Sequence, residues 1–302
     1  MPPSEPAQSS ALSSHWTDRA VEICRAVSEP VAFVGVVGML IASGATVVDV
    51  FLRALSIPGI TALNEIVAMA FTVAVAACIP SGMARGISLA VDVMVPRLAP
   101  RTKALLTAAG STLLLVFLVI LSGRMGVFSA QTVKDARTTQ LLEMPIAPFV
   151  VSAVALLAFA AIIQFVIVIR DWRVAFVTRY DPAQRPASAG IFDAALIVLG
   201  VICVALAVTS LIDFGIVQNW AQTYTTFTVV TSVIAVWIFL LCLIPLAAVL
   251  GLVGIFCCAL FIGFTPALSA FVTEALGFLS NYQVAALPLF LMMGSFAAVA
   301  GR

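Results

Sequence analysis

Of the 302 residues, 63% are hydrophobic and only 10% carry a charge, whereas a soluble globular domain carries about 25% charged residues. A soluble fold must still cover its surface with polar groups, so this composition excludes a soluble enzyme. It points to an all-α membrane protein. The net charge of +1 offers nothing to a nucleic acid or another polyanion.

The chain begins with a polar tail, 1–29, that lacks the apolar stretch of a signal peptide. Its first residues, to about Ser14, are expected to be disordered. Trp16, Ala20, Ile23 and Val27 share one helical face. That pattern fits a short helix on the membrane surface, or equally an extension of the first transmembrane helix. Five charge-free windows follow, at 31–48, 66–83, 104–123, 144–169 and 194–212. A crossing takes about 20 apolar residues at about 1.5 Å each, so each window fits one crossing. A sixth charge-free window runs from 214 to 273. Within it, 227–262 is too long for one straight crossing of about 30 Å of hydrocarbon. Pro245 near its middle predicts two short helices or one sharply broken one. Thr265-Pro266, Glu274 and Asn281 predict a loop with a short interfacial helix over 263–281. Val284 opens a last apolar segment, and the chain stops at Gly301-Arg302 as that segment closes, as expected of an incomplete polypeptide.

Loop charges set the orientation. Arg19, Arg25, Arg85, Arg97, Arg101, Lys103, Arg170, Arg173, Arg179 and Arg185 fall on one side; Arg53, Arg124, Lys134 and Arg137 fall on the other. The positive-inside rule places the N-terminus in the cytoplasm. The expected organisation is a four-helix unit over 30–170, a cytoplasmic linker over 171–190, a connecting helix over 191–213 and a further helical region over 227–302. Asp171-Trp172-Arg173 reads as an interfacial anchor.

Charges in or beside a bilayer are costly and often functional. Asp49 and Arg53 lie four apart on one helix face, Glu65 opens the second apolar segment, and Arg85 and Asp92 flank its other end. Glu65 could relay an ion or proton. The preferred reading makes Asp49, Arg53, Glu65, Arg85 and Asp92 a structural charge cluster or helix-docking set, because helix ends reach headgroups and solvent. Asp193 and Asp213, at the two interfaces of the fifth segment, are given no role. Gly38 with Ala42, and Ala70, Ala74 and Cys78, are spaced four apart and would allow close helix packing. The six cysteines and the single histidine, His15, have no metal-site spacing. Cys257-Cys258 reads as two small packing residues. No P-loop, dinucleotide fingerprint, HExxH or nucleophile elbow is present, and the hydroxyls of Tyr224-Thr225-Thr226 and Thr231-Ser232 read as backbone-bonded rather than as an ion site.

Arg53, Glu65, the stretch Arg85-Gly86-Ile87-Ser88-Leu89-Ala90-Val91-Asp92 and the turn Arg97-Leu98-Ala99-Pro100-Arg101 stand in an order that resembles the small permease subunit of tripartite ATP-independent periplasmic (TRAP) transporters. Ser88 stands where that family usually has histidine. The approach Thr138-Thr139-Gln140-Leu141-Leu142-Glu143-Met144-Pro145 is also similar, and the resemblance covers about 30–173. Further on, Leu243-Ile244-Pro245-Leu246-Ala247 and the run Leu287-Pro288-Leu289-Phe290-Leu291-Met292-Met293-Gly294 resemble the opening of the family's large permease. Ile244 departs from the glycine usual there. The resemblance implies a small permease fused to a truncated large permease, with 192–212 as the connecting helix. It also implies a multi-pass protein of the bacterial inner membrane that takes up organic acids, of the C4-dicarboxylate or acidic-sugar class. A sodium gradient would drive uptake and a periplasmic substrate-binding protein would deliver the substrate. The chain itself would be mainly scaffold, its partners being the lipid bilayer, the remainder of the large permease and the binding protein. Sodium sites are expected beyond Arg302, and no other cofactor is implied. Two other readings compete: a non-transport assembly or docking protein, and an intramembrane enzyme, for which Glu65 alone supplies no convergent set.

Overall fold

The lipid interior offers no hydrogen bonds to a backbone, so an apolar chain that crosses it must pair its own N–H and C=O groups, and the helix does so locally. The computed structural model describes residues 6–56, 59, 62–86, 100–177, 214–241 and 244–279, with 290, 294, 297 and 298. Among them every named element is a helix: α1 (Pro6–Ala54), α2 (Leu63–Ala84), α3 (Pro100–Lys134), α4 (Ala147–Val177), α5 (Phe214–Thr223), α6 (Thr225–Leu241), α7 (Leu246–Ile262) and α8 (Phe264–Leu279). Four stretches are long and apolar enough to cross a membrane: Arg19–Ala54, Leu63–Ala84, Thr102–Lys134 and Ala147–Phe176. They correspond to the first four charge-free windows. The fifth window and residues 178–190 of the expected linker lie outside the described residues.

The helices run further than the apolar windows. α1 is continuous from Pro6 through Pro30, so residues 16–28 extend the first crossing rather than forming a separate surface helix, and the residues before Ser14 are helical from Pro6. Pro30 removes one backbone donor, a loss that a long helix with apolar surroundings tolerates. α3 passes Arg124 and ends only at Lys134, and α4 passes Asp171-Trp172-Arg173 to Val177. Charged side chains do not interrupt a helix once it leaves the hydrocarbon, so the windows underestimate helix length. Serine and threonine hydroxyls inside the helices bond carbonyls one turn back, including Thr72 to Ala68 at 2.9 Å and Ser232 to Thr228 at 2.9 Å.

By contacts the chain divides into two compact units. In the unit formed by 21–86, 118–163 and 272–302, α1 meets α2 at Gly35. A Cβ there would lie 2.9 Å from Ala77 Cβ and 3.0 Å from the Ala74 carbonyl oxygen. Leu63, Val67 and Phe71 of α2 are buried with Met39, Ala42 and Ala45 of α1. Met125, Leu157 and Val272 form a second core, joining α3, α4 and α8. Of the small residues singled out by spacing, Ala74 makes the close approach, whereas Gly38 has open space around it.

In the unit formed by 1–20, 87–117 and 164–271, α3 and α4 are joined by polar bonds. Gln164 Nε2 donates to the Ser111 carbonyl at 3.0 Å, and Trp172 Nε1 donates to Thr112 Oγ1 at 2.9 Å. In the same unit, α7 lies against α3 with Gly251 facing the Phe117 ring. Phe117 also meets Phe271 of α8 edge-on at 5.9 Å.

Within the long apolar region 227–262 lie two helices, α6 ending at Leu241 and α7 beginning at Leu246. Pro245 caps the start of α7 with φ −55° and ψ 132°, a position where its missing N–H costs nothing. Residues 264–279 form a full helix, α8, instead of the expected loop with a short interfacial helix. Gly263, at φ +89°, makes the turn into it. Pro266 sits in the first turn of α8, where proline starts helices rather than breaking them.

Candidate functional site

The best-developed polar site is built where α1 ends and α2 begins. Asp49 and Arg53 project from the last turns of α1, one helical turn apart, and Arg53 Nη2 pairs with Asp49 Oδ2 at 2.8 Å. The Asp49 side chain is 5% exposed and that of Arg53 57%, so a buried carboxylate is partnered by a cation that reaches outward. The α1–α2 connection passes close over this pair at Gly59. A Cβ there would lie 2.5 Å from Arg53 Nε and 2.7 Å from Asp49 Oδ1, so a larger residue would have to displace the side chains of the pair.

Glu65 stands in the first turn of α2, where the helix dipole favours an anion. Its carboxylate reaches the connection between α3 and α4. Oε1 accepts from the Leu141 N–H at 2.8 Å and Oε2 from the Leu142 N–H at 3.1 Å. That connection is a compact hairpin closed by the Thr138–Pro145 bridge. The Thr139 N–H donates to the Met144 carbonyl at 2.9 Å, and the Met144 N–H to Thr139 Oγ1 at 3.2 Å. Ala136 and Glu143 adopt positive φ, 46° and 51°, and the successive N–H groups of Leu141 and Leu142 converge on the one Glu65 carboxylate. Arg137 pairs with Asp135 at 3.0 Å and lies over the Phe128 ring at 5.7 Å.

Arg85 follows the last turn of α2 and pairs with Glu29 of α1 at 3.2 Å, while Arg25 holds the same carboxylate at 3.0 Å. The proposed charge set is thus distributed. Asp49 and Arg53 form one pair, Glu65 holds a loop, Arg85 binds Glu29, and Asp92 lies outside the described residues. Glu29 and Arg25 were missed by sequence reasoning, although their spacing of four was a legible signal. Of the C-terminal motif residues, Pro245 caps α7, Phe290 is helical and exposed, and Gly294 is helical with open space about it; Pro288 lies outside the described residues. Gly38, Ala70 and Ala74 line an apolar groove of about 750 Å³ with Pro148 and Phe149 of α4. Among the described residues no group of three or more His, Cys, Asp and Glu side chains converges as a metal site would require.

This arrangement ties elements together. Each of Glu29, Asp49, Arg53, Glu65 and Arg85 is committed to a partner on its own helix, a neighbouring helix or a loop.

Residues 42–174 match the model of the family described as Tripartite ATP-independent periplasmic transporters, DctQ component. No curated protein and no solved structure matches the chain. The matched stretch runs from the second half of α1 almost to the end of α4 and contains Asp49, Arg53, Glu65 and Arg85. It supports a TRAP small-permease component within a multi-pass membrane protein; the family is one of transporter membrane components, not of enzymes.

Proposed function

We propose that this chain is the small permease of a TRAP-type secondary transporter joined to the opening helices of its large permease, and that it serves mainly as scaffold. The observation that carries this reading is the family match over 42–174. Two features of the fold support it. Glu65 ties the start of α2 to the α3–α4 connection and Arg85 ties its end to α1, as a scaffold requires. α7, which opens with the large-permease-like Pro245, packs on α3 through Gly251 and Phe117. In this reading a periplasmic binding protein delivers an organic acid, of the C4-dicarboxylate or acidic-sugar class, and a sodium gradient drives its uptake across the bacterial inner membrane. The excess of arginine and lysine on one side supports a cytoplasmic N-terminus.

The test is reconstitution of the chain with a complete large permease in sodium-free proteoliposomes. External sodium and radiolabelled organic acids are then supplied with or without a periplasmic substrate-binding protein. Accumulation is expected only with sodium and the binding protein together. Equal accumulation without the binding protein would remove the chain from this transporter class.

A further inference from the structure

The junction of α5 and α6 carries a feature that the transport reading does not use. The helical axes of Val217–Thr223 and Thr225–Leu240 differ by 108°. α6 has 17 residues without a charge, about 26 Å of helix, close to the roughly 30 Å of bilayer hydrocarbon. If α6 crosses the bilayer, α5 must run nearly along its surface. At the bend three rings form one cluster: Trp220 lies 5.6 Å from Tyr224 and 5.6 Å from Phe227, meeting the latter edge-on. All three are more than half or about half exposed, at 50%, 56% and 58%. The other side of α5 is fixed to protein. Ala221 is fully buried, and Gln222 Nε2 donates to the Phe261 carbonyl near the end of α7 at 3.3 Å.

We propose that Trp220, Tyr224 and Phe227 form an anchor seated in the glycerol–carbonyl zone of the bilayer, which sets the depth at which α6 enters the membrane. The chemistry selects this partner. Indole and phenol combine an apolar body with a polar tip and settle at the membrane–water interface. α5 carries no charge, so the contact depends on the interfacial zone rather than on anionic headgroups. Gln218, Asn219 and Gln222 of α5 make insertion of that helix into hydrocarbon costly.

The four tryptophans permit a direct test of depth. With Trp16 and Trp172 replaced by phenylalanine, further replacement of Trp237 or of Trp220 leaves a single reporter in phosphatidylcholine vesicles. Trp237 lies 12 residues beyond Thr225 on α6, about 18 Å along the helix. Trp220 is expected to be quenched most by lipid brominated near the carbonyl end, and Trp237 most by lipid brominated near the chain terminus. A second measurement leaves the tryptophans intact: nitroxides at Asn219→Cys and Val233→Cys, in a cysteine-free background, should show much lower oxygen-to-nickel accessibility at 219 than at 233. Three outcomes overturn the anchor. Deepest quenching at Trp220, with equal depths at 219 and 233, makes α5 a re-entrant segment. Absence of lipid quenching with protection from acrylamide places another protein over the rings. Absence of lipid quenching with full acrylamide access places them in water.

Discussion

Gly251→Leu is expected to separate α7 from α3 and to yield a protein that unfolds in detergent well below the wild-type temperature. A Cβ at this position would overlap the Phe117 ring, lying 2.6 Å from Cδ2 and 2.9 Å from Cζ, with Cε2 closer still. A ring edge has little freedom to move, because Phe117 is also set edge-on against Phe271. Overpacking a well-fitted contact costs about 1–3 kcal/mol and occasionally more, and leucine adds three carbons beyond that first clash. The diagnostic is the double variant Phe117→Ala, Gly251→Leu. Each single change is destabilising, but the cavity left by the ring accommodates the leucine. The pair should therefore be milder than the sum by about 0.5–3 kcal/mol, as contacting residues are. Strict additivity in a thermal unfolding series would show that α7 does not rest on Phe117.

The second large effect is expected at Arg53→Ala. Asp49 is 5% exposed while Arg53 is 57% exposed. Removing the arginine deprives a buried carboxylate of its cation, yet the exposure of that cation tempers the loss. An expected cost of about 1–3 kcal/mol lies between the values for exposed pairs and for buried ones. Less folded protein should accumulate in the membrane. Pairing Arg53→Ala with Asp49→Asn should recover part of the loss, because the buried charge goes with its partner. If Arg53→Ala instead folds normally and the complete transporter loses uptake, Asp49 and Arg53 act in ion or proton transfer and the structural role is wrong.

Local features of the sequence were sufficient for the four helices long and apolar enough to cross a membrane, because the thickness of the bilayer demands an apolar run of fixed length. The Pro245 break was legible for the same kind of reason, since a proline constrains its own position. Helix ends were less legible. Arg124 and Lys134 end the charge-free pattern without changing the backbone, so α3 outruns its apolar window. Thr265-Pro266 carries the same residues whether it ends a helix or starts one, and only the left-handed Gly263 before it decides. α5 escaped notice because it is short and uncharged. At the polar site the spacing of Asp49 and Arg53 was readable within one helix. The partners of Glu65 are backbone amides 76 and 77 residues away, and an amide leaves no mark in a side-chain pattern. Gly35 and Gly38 likewise have the same chemistry, and their difference comes only from where Ala74 and Ala77 lie.

The scaffold role is tested most directly by a distance measured inside the four-helix stretch during transport. Val47 of α1 and Val151 of α4 are both about half exposed and accept spin labels as Val47→Cys and Val151→Cys once the six native cysteines are replaced. Pulsed electron paramagnetic resonance on the complete transporter would compare it without sodium, with sodium, and with sodium and substrate. One unchanged distance distribution in all three states is the predicted result. A distribution that shifts or splits with sodium or substrate would make this unit a moving part of the transporter and contradict its role as scaffold.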